Sequence, residues 1–367
     1  MNTPLIIGMD AKRIVSNATG LGSYGRTLVN DLAAGDLQLR LYAPTPGRDD
    51  LRQQIIPRPN VSFAYPAPSR LPFAKALWRS KGIVKDLQRD GVQLYHGLSG
   101  ELPLGIRSNG IRSVVTIHDL IFLRHPEYYH WLDTKIYAWK FRQAIREADH
   151  IIAISECTRR DIIELGQVDP ARITLIYQSC APRFSSFTVQ NPERRYLLGV
   201  GSIEPRKNML LALKALPYLP DDLHLVLVGR HTRYTDEITR YAQREGLTHR
   251  LHIRHDVTDD ELPALYAGAE AFVYPSRYEG FGIPIIEAIS CGLPVVACTG
   301  SCLEEAGGPD NLYVSPDDPE AMAFAVRQVL RGAEGRQQRI ERSQQYIRRF
   351  QGNDVAAQVM DLYRSLV

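Results

Sequence analysis

The chain has 367 residues, 44% hydrophobic and 23% charged, a length at which two domains are expected and the composition of an ordinary globular protein. A formal net charge of +3 is too small for a nucleic-acid footprint, and no apolar run nears the roughly 18 residues of a membrane span. Five scattered cysteines, Cys157, Cys180, Cys291, Cys298 and Cys302, argue against a disulfide framework, and a start without a basic leader is read as cytoplasmic.

Short apolar runs alternate with amphipathic stretches, which predicts βαβ units and parallel sheets. In the first half, strands are expected at Leu5 to Met9, Leu39 to Ala43, Val61 to Tyr65, Leu94 to His96, Ser113 to Ile117, His150 to Ile154 and Ile173 to Ile176. Gly20-Leu21-Gly22-Ser23-Tyr24-Gly25 matches G-x-G-x-x-G, but the loop Asp10 to Thr19 separates it from its strand. The second strand ends in Leu41-Tyr42-Ala43-Pro44 without the acidic residue a dinucleotide site needs. A nicotinamide-dependent dehydrogenase is therefore disfavoured, and the run is read as a glycine-rich loop.

The stretch from Leu71 to Lys85 carries four cations, Lys75, Arg79, Lys81 and Lys85, and no acid. At about 100° per residue, Phe73, Leu77, Ile83, Val84 and Leu87 share one face and Trp78 falls among the cations. This suits a helix docked peripherally on a membrane, or one with its apolar face on the core. Thr116-Ile117-His118-Asp119-Leu120 ends a strand, so His118 and Asp119 are placed at a ligand-facing edge. Ser155 in Ala153-Ile154-Ser155-Glu156 reads first as a helix N-cap. Residues 1–182 hold 23 Lys+Arg against 17 Asp+Glu, so the first half is the basic one and suits an anionic acceptor or surface.

The irregular, proline-bounded run Pro182 to Pro192 is the expected linker. It separates a domain over 1–182 from one over 193–350. The second strand series is Tyr196 to Gly201, Leu223 to Val228, Leu251 to Ile253, Ala271 to Tyr274, Pro294 to Ala297 and Leu312 to Val314. Its first strand runs into Gly201-Ser202-Ile203-Glu204-Pro205-Arg206-Lys207-Asn208. Adjacent Arg206 and Lys207 offer a planar fork and a mobile point charge to a diphosphate. Gly229-Arg230 and Asp256-Val257 also end strands and are candidate nucleobase contacts. The fourth strand leads into Glu279-Gly280-Phe281-Gly282-Ile283-Pro284-Ile285-Ile286-Glu287. Pro284 fits the first turn of a helix, and two acceptor-only carboxylates bracketing a glycine loop suit a polyhydroxylated ligand. His249, His252 and His255 lie in a strand-like run that splits their side chains between faces, and Cys298-x3-Cys302 lacks a second ligand pair, so no metal site is expected. A last helix is expected near Asp354 to Leu366, after the break at Gln351-Gly352-Asn353.

The E-x7-E spacing of Glu279 and Glu287 and the E-P-R-K-N run at Glu204 to Asn208 resemble the retaining GT4-type glycosyltransferases, nearest to bacterial mannosyltransferases of polysaccharide assembly. The resemblance implies a GT-B fold of two Rossmann-like α/β domains facing a cleft, with the helix in 351–367 crossing back to the first domain. It further implies that Arg206 and Lys207 bind the diphosphate and Glu287 the ribose. Glu279, Gly280, Phe281, Gly282 and Ile283 would hold the sugar and nearby oxygens, and His118 would contact the transferred sugar with Asp119 beside it. Gly20, Gly22 and Ser155 would approach the donor. A GDP-mannose donor, a lipid-linked or growing glycan acceptor and no metal cofactor are implied, since no D-x-D sequence occurs. The membrane contact would run through Lys75, Trp78, Arg79 and Lys81. Rival readings are a GDP-6-deoxyhexose or UDP-sugar donor, a sugar-nucleotide epimerase, a glycoside phosphorylase and a noncatalytic sugar-binding protein.

Overall fold

The computed structural model describes residues 4–18, 20–69, 71, 73–178, 180, 182–185, 194–350 and 353–367. The chain separates into two compact units, Met1–Gln178 with Asn353–Val367, and Ser179–Gly352. All of the expected strand runs form strands. In the first unit they are β1 (Leu5–Asp10), β2 (Leu37–Tyr42), β3 (Val61–Ala64), β4 (Leu94–Gly97), β5 (Arg112–Ile117), β6 (His150–Ala153) and β7 (Ile173–Leu175). In the second they are β8 (Arg195–Val200), β9 (Leu223–Val228), β10 (Leu251–Arg254), β11 (Ala271–Tyr274), β12 (Val295–Cys298) and β13 (Leu312–Val314).

Each unit is one parallel sheet. The orders are β3-β2-β1-β4-β5-β6-β7 and β10-β9-β8-β11-β12-β13. The pairing β8 to β9 runs from Arg195 opposite Leu223 to Val200 opposite Val228, and Phe272 of β11 sits opposite Leu198 of β8. Continuous apolar strands are what sheets covered on both faces require. Leu197, Leu225, Val273 and Val296 accordingly lie buried under Leu213, Leu216 and Ile238 from the covering helices. Both sheets reverse strand order once, between β1 and β4 and between β8 and β11. At such a reversal neighbouring connections leave in opposite directions and open a crevice at the carboxyl ends.

The last helix, Asn353–Leu366, belongs to the first unit, as the crossing expectation required. It packs on helix Gly20–Leu32 and buries Val359 and Tyr363 among residues of β1 and β2. The hydroxyl of Tyr363 shares a 2.6 Å hydrogen bond with Nδ1 of buried His96, whose Nε2 is 2.8 Å from Thr116 Oγ1. Residues 186–193, which hold most of the expected linker, and residues 351–352 at the expected break lie outside the described residues. Phe184, inside the expected linker, is buried in the second unit with its ring edge-on to Tyr266.

Two local expectations are corrected. Gly20 to Gly25 is not a loop but the start of helix Gly20–Leu32. A Cβ on Gly22 would lie 1.8 Å from the Asn17 carbonyl oxygen and one on Gly25 would lie 2.8 Å from Ile14, so these glycines let the preceding segment pack against the helix. Arg26 holds that segment by donating to the Ile14 and Asn17 carbonyls. The second correction concerns residues 73–89, where Ile83, Val84 and Leu87 are buried but Phe73 and Leu77 are exposed. A π-helical segment, Trp78–Gly82, joins helix Ala74–Leu77 to helix Ile83–Arg89. Its i→i+5 bonds add a residue to the turn and break the phase of a uniform wheel.

Candidate active site

In the second unit the crevice between β8 and β11 receives two loops, one after each strand. Pro205–Lys207 forms a 3-10 turn, and Asn208 follows in the left-handed region at φ 53° with its Nδ2 donating to the Pro316 carbonyl. Arg206 and Lys207 therefore stand in a separate turn before helix Met209–Ala215, not in its first turn as a basic helix start would have them. A backbone hydrogen bond joins the loops, Arg277 N donating to the Arg206 carbonyl at 2.9 Å, and Ser276 Oγ lies 3.4 Å from the same oxygen. Gly229 borders this floor, since a Cβ there would lie 1.9 Å from the Gly201 carbonyl oxygen.

Glu279 is the hub. Its Oε1 accepts from Lys207 Nζ at 2.5 Å, Ser276 Oγ at 2.5 Å and Tyr274 Oη at 3.1 Å, while its Oε2 lies 3.0 Å from Arg206 Nη1. Lys207 Nζ also donates to Tyr274 Oη at 2.7 Å, and Arg206 reaches the Tyr278 carbonyl and Glu204. Burial would raise the Glu279 carboxyl, but Lys207 and Arg206 outweigh it and hold the group at about 2. Burial likewise opposes the Arg206 charge, and Glu279 with Glu204 overcomes it and holds the guanidinium above its ordinary value. The cations are thus fixed by carboxylates in advance of any ligand, the preorganisation that a charge-stabilising site needs.

Glu287 sits one turn into helix Ile283–Ser290, where Tyr266 Oη donates to its Oε2 at 3.0 Å. No cation counters its burial strongly enough, and the carboxyl is pushed up to about 7. The two glutamates that the spacing pairs are therefore electrostatic opposites. Gly282 caps the helix at φ 110°, a conformation that side chains avoid. Phe281 turns its ring inward, edge-on to Phe350, so the ring does not face a ligand, and its carbonyl accepts from Cys302 Sγ at 2.8 Å.

In the first unit His118 follows β5. Its Nε2 donates to the Leu98 carbonyl at 2.9 Å and its Nδ1 accepts from Gln178 Nε2 at 2.9 Å, which settles a neutral tautomer. Burial pushes the ring down to about 4. Asp119 Oδ1 accepts from the Ile121 backbone, and Gln178 holds the histidine ring. Ser155 caps helix Glu156–Gly166 by accepting from Thr158 N at 2.9 Å. Arg230 is exposed and Val257 half-buried at the ends of their strands. Of the basic stretch, Lys75 and Lys81 are exposed, whereas Trp78 Nε1 donates to Asp86 and Arg79 turns inward to Asp10. That corrects the expectation of a contact running through all four residues.

The sequence reading missed Glu204, Tyr274, Ser276, Tyr266 and Gln178. Glu204 lay within a quoted motif and was readable as a partner for Arg206 once a shared crevice was assumed. Gln178 carried no signal, because its role exists only where the chain after β7 passes β5. Among the described residues no group of three or more His, Cys, Asp or Glu is placed to hold a metal ion, and the five cysteines are free thiols.

Two Rossmann-like parallel-sheet units in one chain define the GT-B class of glycosyltransferase fold. Sucrose-phosphate synthase of Thermosynechococcus elongatus superposes with a TM-score of 0.78 at 20% identity, covering 99% of both chains. Anabaena HepE, solved with UDP and glucose, has a TM-score of 0.77 at 18% identity, covering 99% of this chain and 100% of that one. The family model for glycosyl transferases group 1 matches residues 183–346, and that for glycosyltransferase family 4 matches residues 18–179. O-antigen chain mannosyltransferase B of Escherichia coli is 31% identical over 291 residues, 74% of each chain. O-antigen chain mannosyltransferase RfbU of Salmonella typhimurium is 28% identical over 215 residues, 59% of this chain and 60% of its own. The chain belongs to the family 4 glycosyltransferases and is an enzyme related to bacterial O-antigen mannosyltransferases.

Proposed function

We propose that this enzyme is a retaining mannosyltransferase that moves mannose from GDP-mannose to a lipid-linked or growing glycan during cell-surface polysaccharide assembly. The observation that carries the reading is the meeting of Arg206 and Lys207 with Glu279 at the reversal between β8 and β11. A departing nucleoside diphosphate gathers negative charge in the transition state, and two cations already fixed in place stabilise it without reorganising. Glu279 serves here as the post that positions both cations, a role that its low carboxyl pKa supports. Glu287 binds the ribose hydroxyls. The first unit, the more basic half of the sequence, takes the acceptor, and His118 with Asp119 stands by the transferred sugar.

Among the described residues of this crevice no carboxylate stands apart as a nucleophile, since Glu279 is paired with the cations and Glu287 accepts from Tyr266. Same-face attack through an oxocarbenium-like state fits that arrangement. The choice of mannose and guanine rests on the E-P-R-K-N run and on the names of the relatives. A thermal-shift comparison of GDP, UDP, ADP and dTDP, each with EDTA, tests it, because a nucleotide that binds the folded chain must raise its apparent stability. Stabilisation by GDP alone is expected. Stabilisation by UDP alone would keep a transferase and discard GDP-mannose, and no stabilisation by any nucleotide would remove the donor site.

A further inference from the structure

A cavity of about 620 Å³ opens in the first unit, lined by residues that follow β1 and β4 where that sheet reverses its order. Its polar wall is a chain of ion pairs. Arg79 Nη2 lies 2.6 Å from Asp10 Oδ2, Arg79 Nη1 pairs with Glu101, and Lys140 Nζ lies 3.0 Å from the other oxygen of Glu101. Burial opposes the Glu101 charge, but Arg79 and Lys140 outweigh it and hold the carboxyl at about 2. These four charges satisfy one another. Lys12 and Lys75 line the same cavity, and among the described residues no carboxylate pairs with either ammonium. Burial, and then Arg79, lowers the Lys12 pKa, and Glu101 and Asp10 offset only part of that, so an anion arriving here would favour the charged ammonium.

Beside Ser80 and Gln143, much of the remaining rim is apolar and faces solvent. Phe73 is 80% exposed, Leu77 65% and Trp139 52%. A second cavity, of about 450 Å³, shares Pro44 and Lys75 with the first and is walled by Tyr65, Pro66, Pro68 and Trp78. Helix Trp131–Glu147, which supplies Trp139 and Lys140, also exposes Trp131, Leu132 and Ile136. So much exposed apolar surface, continuous with a cation-bearing hollow, calls for a ligand that is both anionic and greasy. A neutral saccharide would leave the ammonium groups unmet, and a free phosphate would leave the apolar rim bare.

We propose that this cavity binds a phosphate-headed lipid, with the phosphate on Lys12 and Lys75 and the chain along Phe73, Leu77 and Trp139. Its assignment as the seat of a lipid-linked acceptor rests on the glycosyl-transfer reading above.

All three tryptophans, Trp78, Trp131 and Trp139, lie on the two segments concerned, so intrinsic fluorescence reports on this region. The intact protein is titrated with dodecyl phosphate below its micelle-forming concentration, with inorganic phosphate, and with dodecyl maltoside. Saturable binding of dodecyl phosphate, roughly tenfold or more tighter than either comparison ligand, is expected. Lys12→Met should weaken it several-fold, Lys75→Met, at an exposed position, should do the same without risk to folding, and Lys85→Met, outside the cavity, should not. Equal binding of inorganic phosphate would make this a bare anion site, equal binding of dodecyl maltoside a general apolar surface, and either result overturns the proposal. Nucleotide thermal shifts on the same samples separate the two readings. Dodecyl phosphate binding in a protein that no nucleotide stabilises supports the lipid site and removes the transfer reading, while nucleotide stabilisation without dodecyl phosphate binding does the reverse.

Discussion

Lys207 donates to Glu279 at 2.5 Å and to the Tyr274 hydroxyl at 2.7 Å, and Arg206 completes the carboxylate's shell. Removing the ammonium deprives a developing diphosphate of its nearest fixed charge. Lys207→Ala should therefore lower kcat about 100-fold or more at saturating donor, measured by nucleotide release, with unchanged circular dichroism. Near-normal turnover would remove the charge-stabilisation mechanism. Glu287 makes a different prediction. Its carboxyl titrates at about 7 in the folded chain against the ordinary 4.5. Between those values the folded state holds a proton that the unfolded state has released, so this group's contribution to stability falls as pH rises through the window and is level above it. Glu287→Gln keeps the acceptor for Tyr266 and removes the titration. Its melting temperature should exceed that of the parent by a few degrees at pH 8 and match it near pH 4.5. Nucleotide affinity of the parent should weaken below pH 7, because ribose hydroxyls favour the ionised carboxylate. A pH-independent difference between the two melting curves would refute this account.

At the scale of elements, the helix that opens with glycines separates packing from ligand approach. A Cβ on Gly22 meets a backbone carbonyl oxygen at 1.8 Å, whereas one on Gly20 meets nothing within 4 Å. Gly22→Ala should cost about 1–3 kcal/mol through forced backbone displacement. Gly20→Ala should be neutral or stabilising by up to about 1 kcal/mol, as alanine restricts the unfolded chain. Urea unfolding of the two variants decides this, and equal stabilities would show that the Asn17 segment yields freely. Strand positions were legible because buried parallel strands are written as apolar runs. The helix from Gly20 and the phase shift at Trp78–Gly82 were not. A glycine run reads as a loop until something packs against it, and a π-turn is a local choice that uniform 100° spacing does not encode.

At the scale of the whole molecule, the first unit is closed by residues from both ends of the chain. Val359 and Tyr363 fill its core, and Tyr363 completes the hydrogen bonding of His96, whose ring is pushed down to about 3, first by burial and then by His118. Deleting residues 353–367 strips both side chains and leaves a buried imidazole nitrogen without its partner, a loss of several kcal/mol. Calorimetry should then show an early transition for the first unit, with nucleotide still stabilising the second. Tyr363→Phe, which removes the hydroxyl alone, should lower stability by about 1–3 kcal/mol. Unchanged melting in both variants would mean that the helix merely covers the unit.

The sequence by itself determined the strands of both sheets, the division of labour between a basic first half and a second half carrying the paired glutamates, and the identity of the cation pair, because each is carried by local pattern or by neighbours in the chain. Tertiary structure alone decided what those groups do to one another. Arg206 and Glu279 are 73 positions apart, yet the reversal between β8 and β11 brings them within 3.0 Å and drives one glutamate to about 2, while burial without a strong counter-charge leaves the other at about 7. The same physics turned Arg79 from an expected surface cation into the partner of Asp10, because ionisation and orientation depend on distance and burial, and distance is a property of the folded chain.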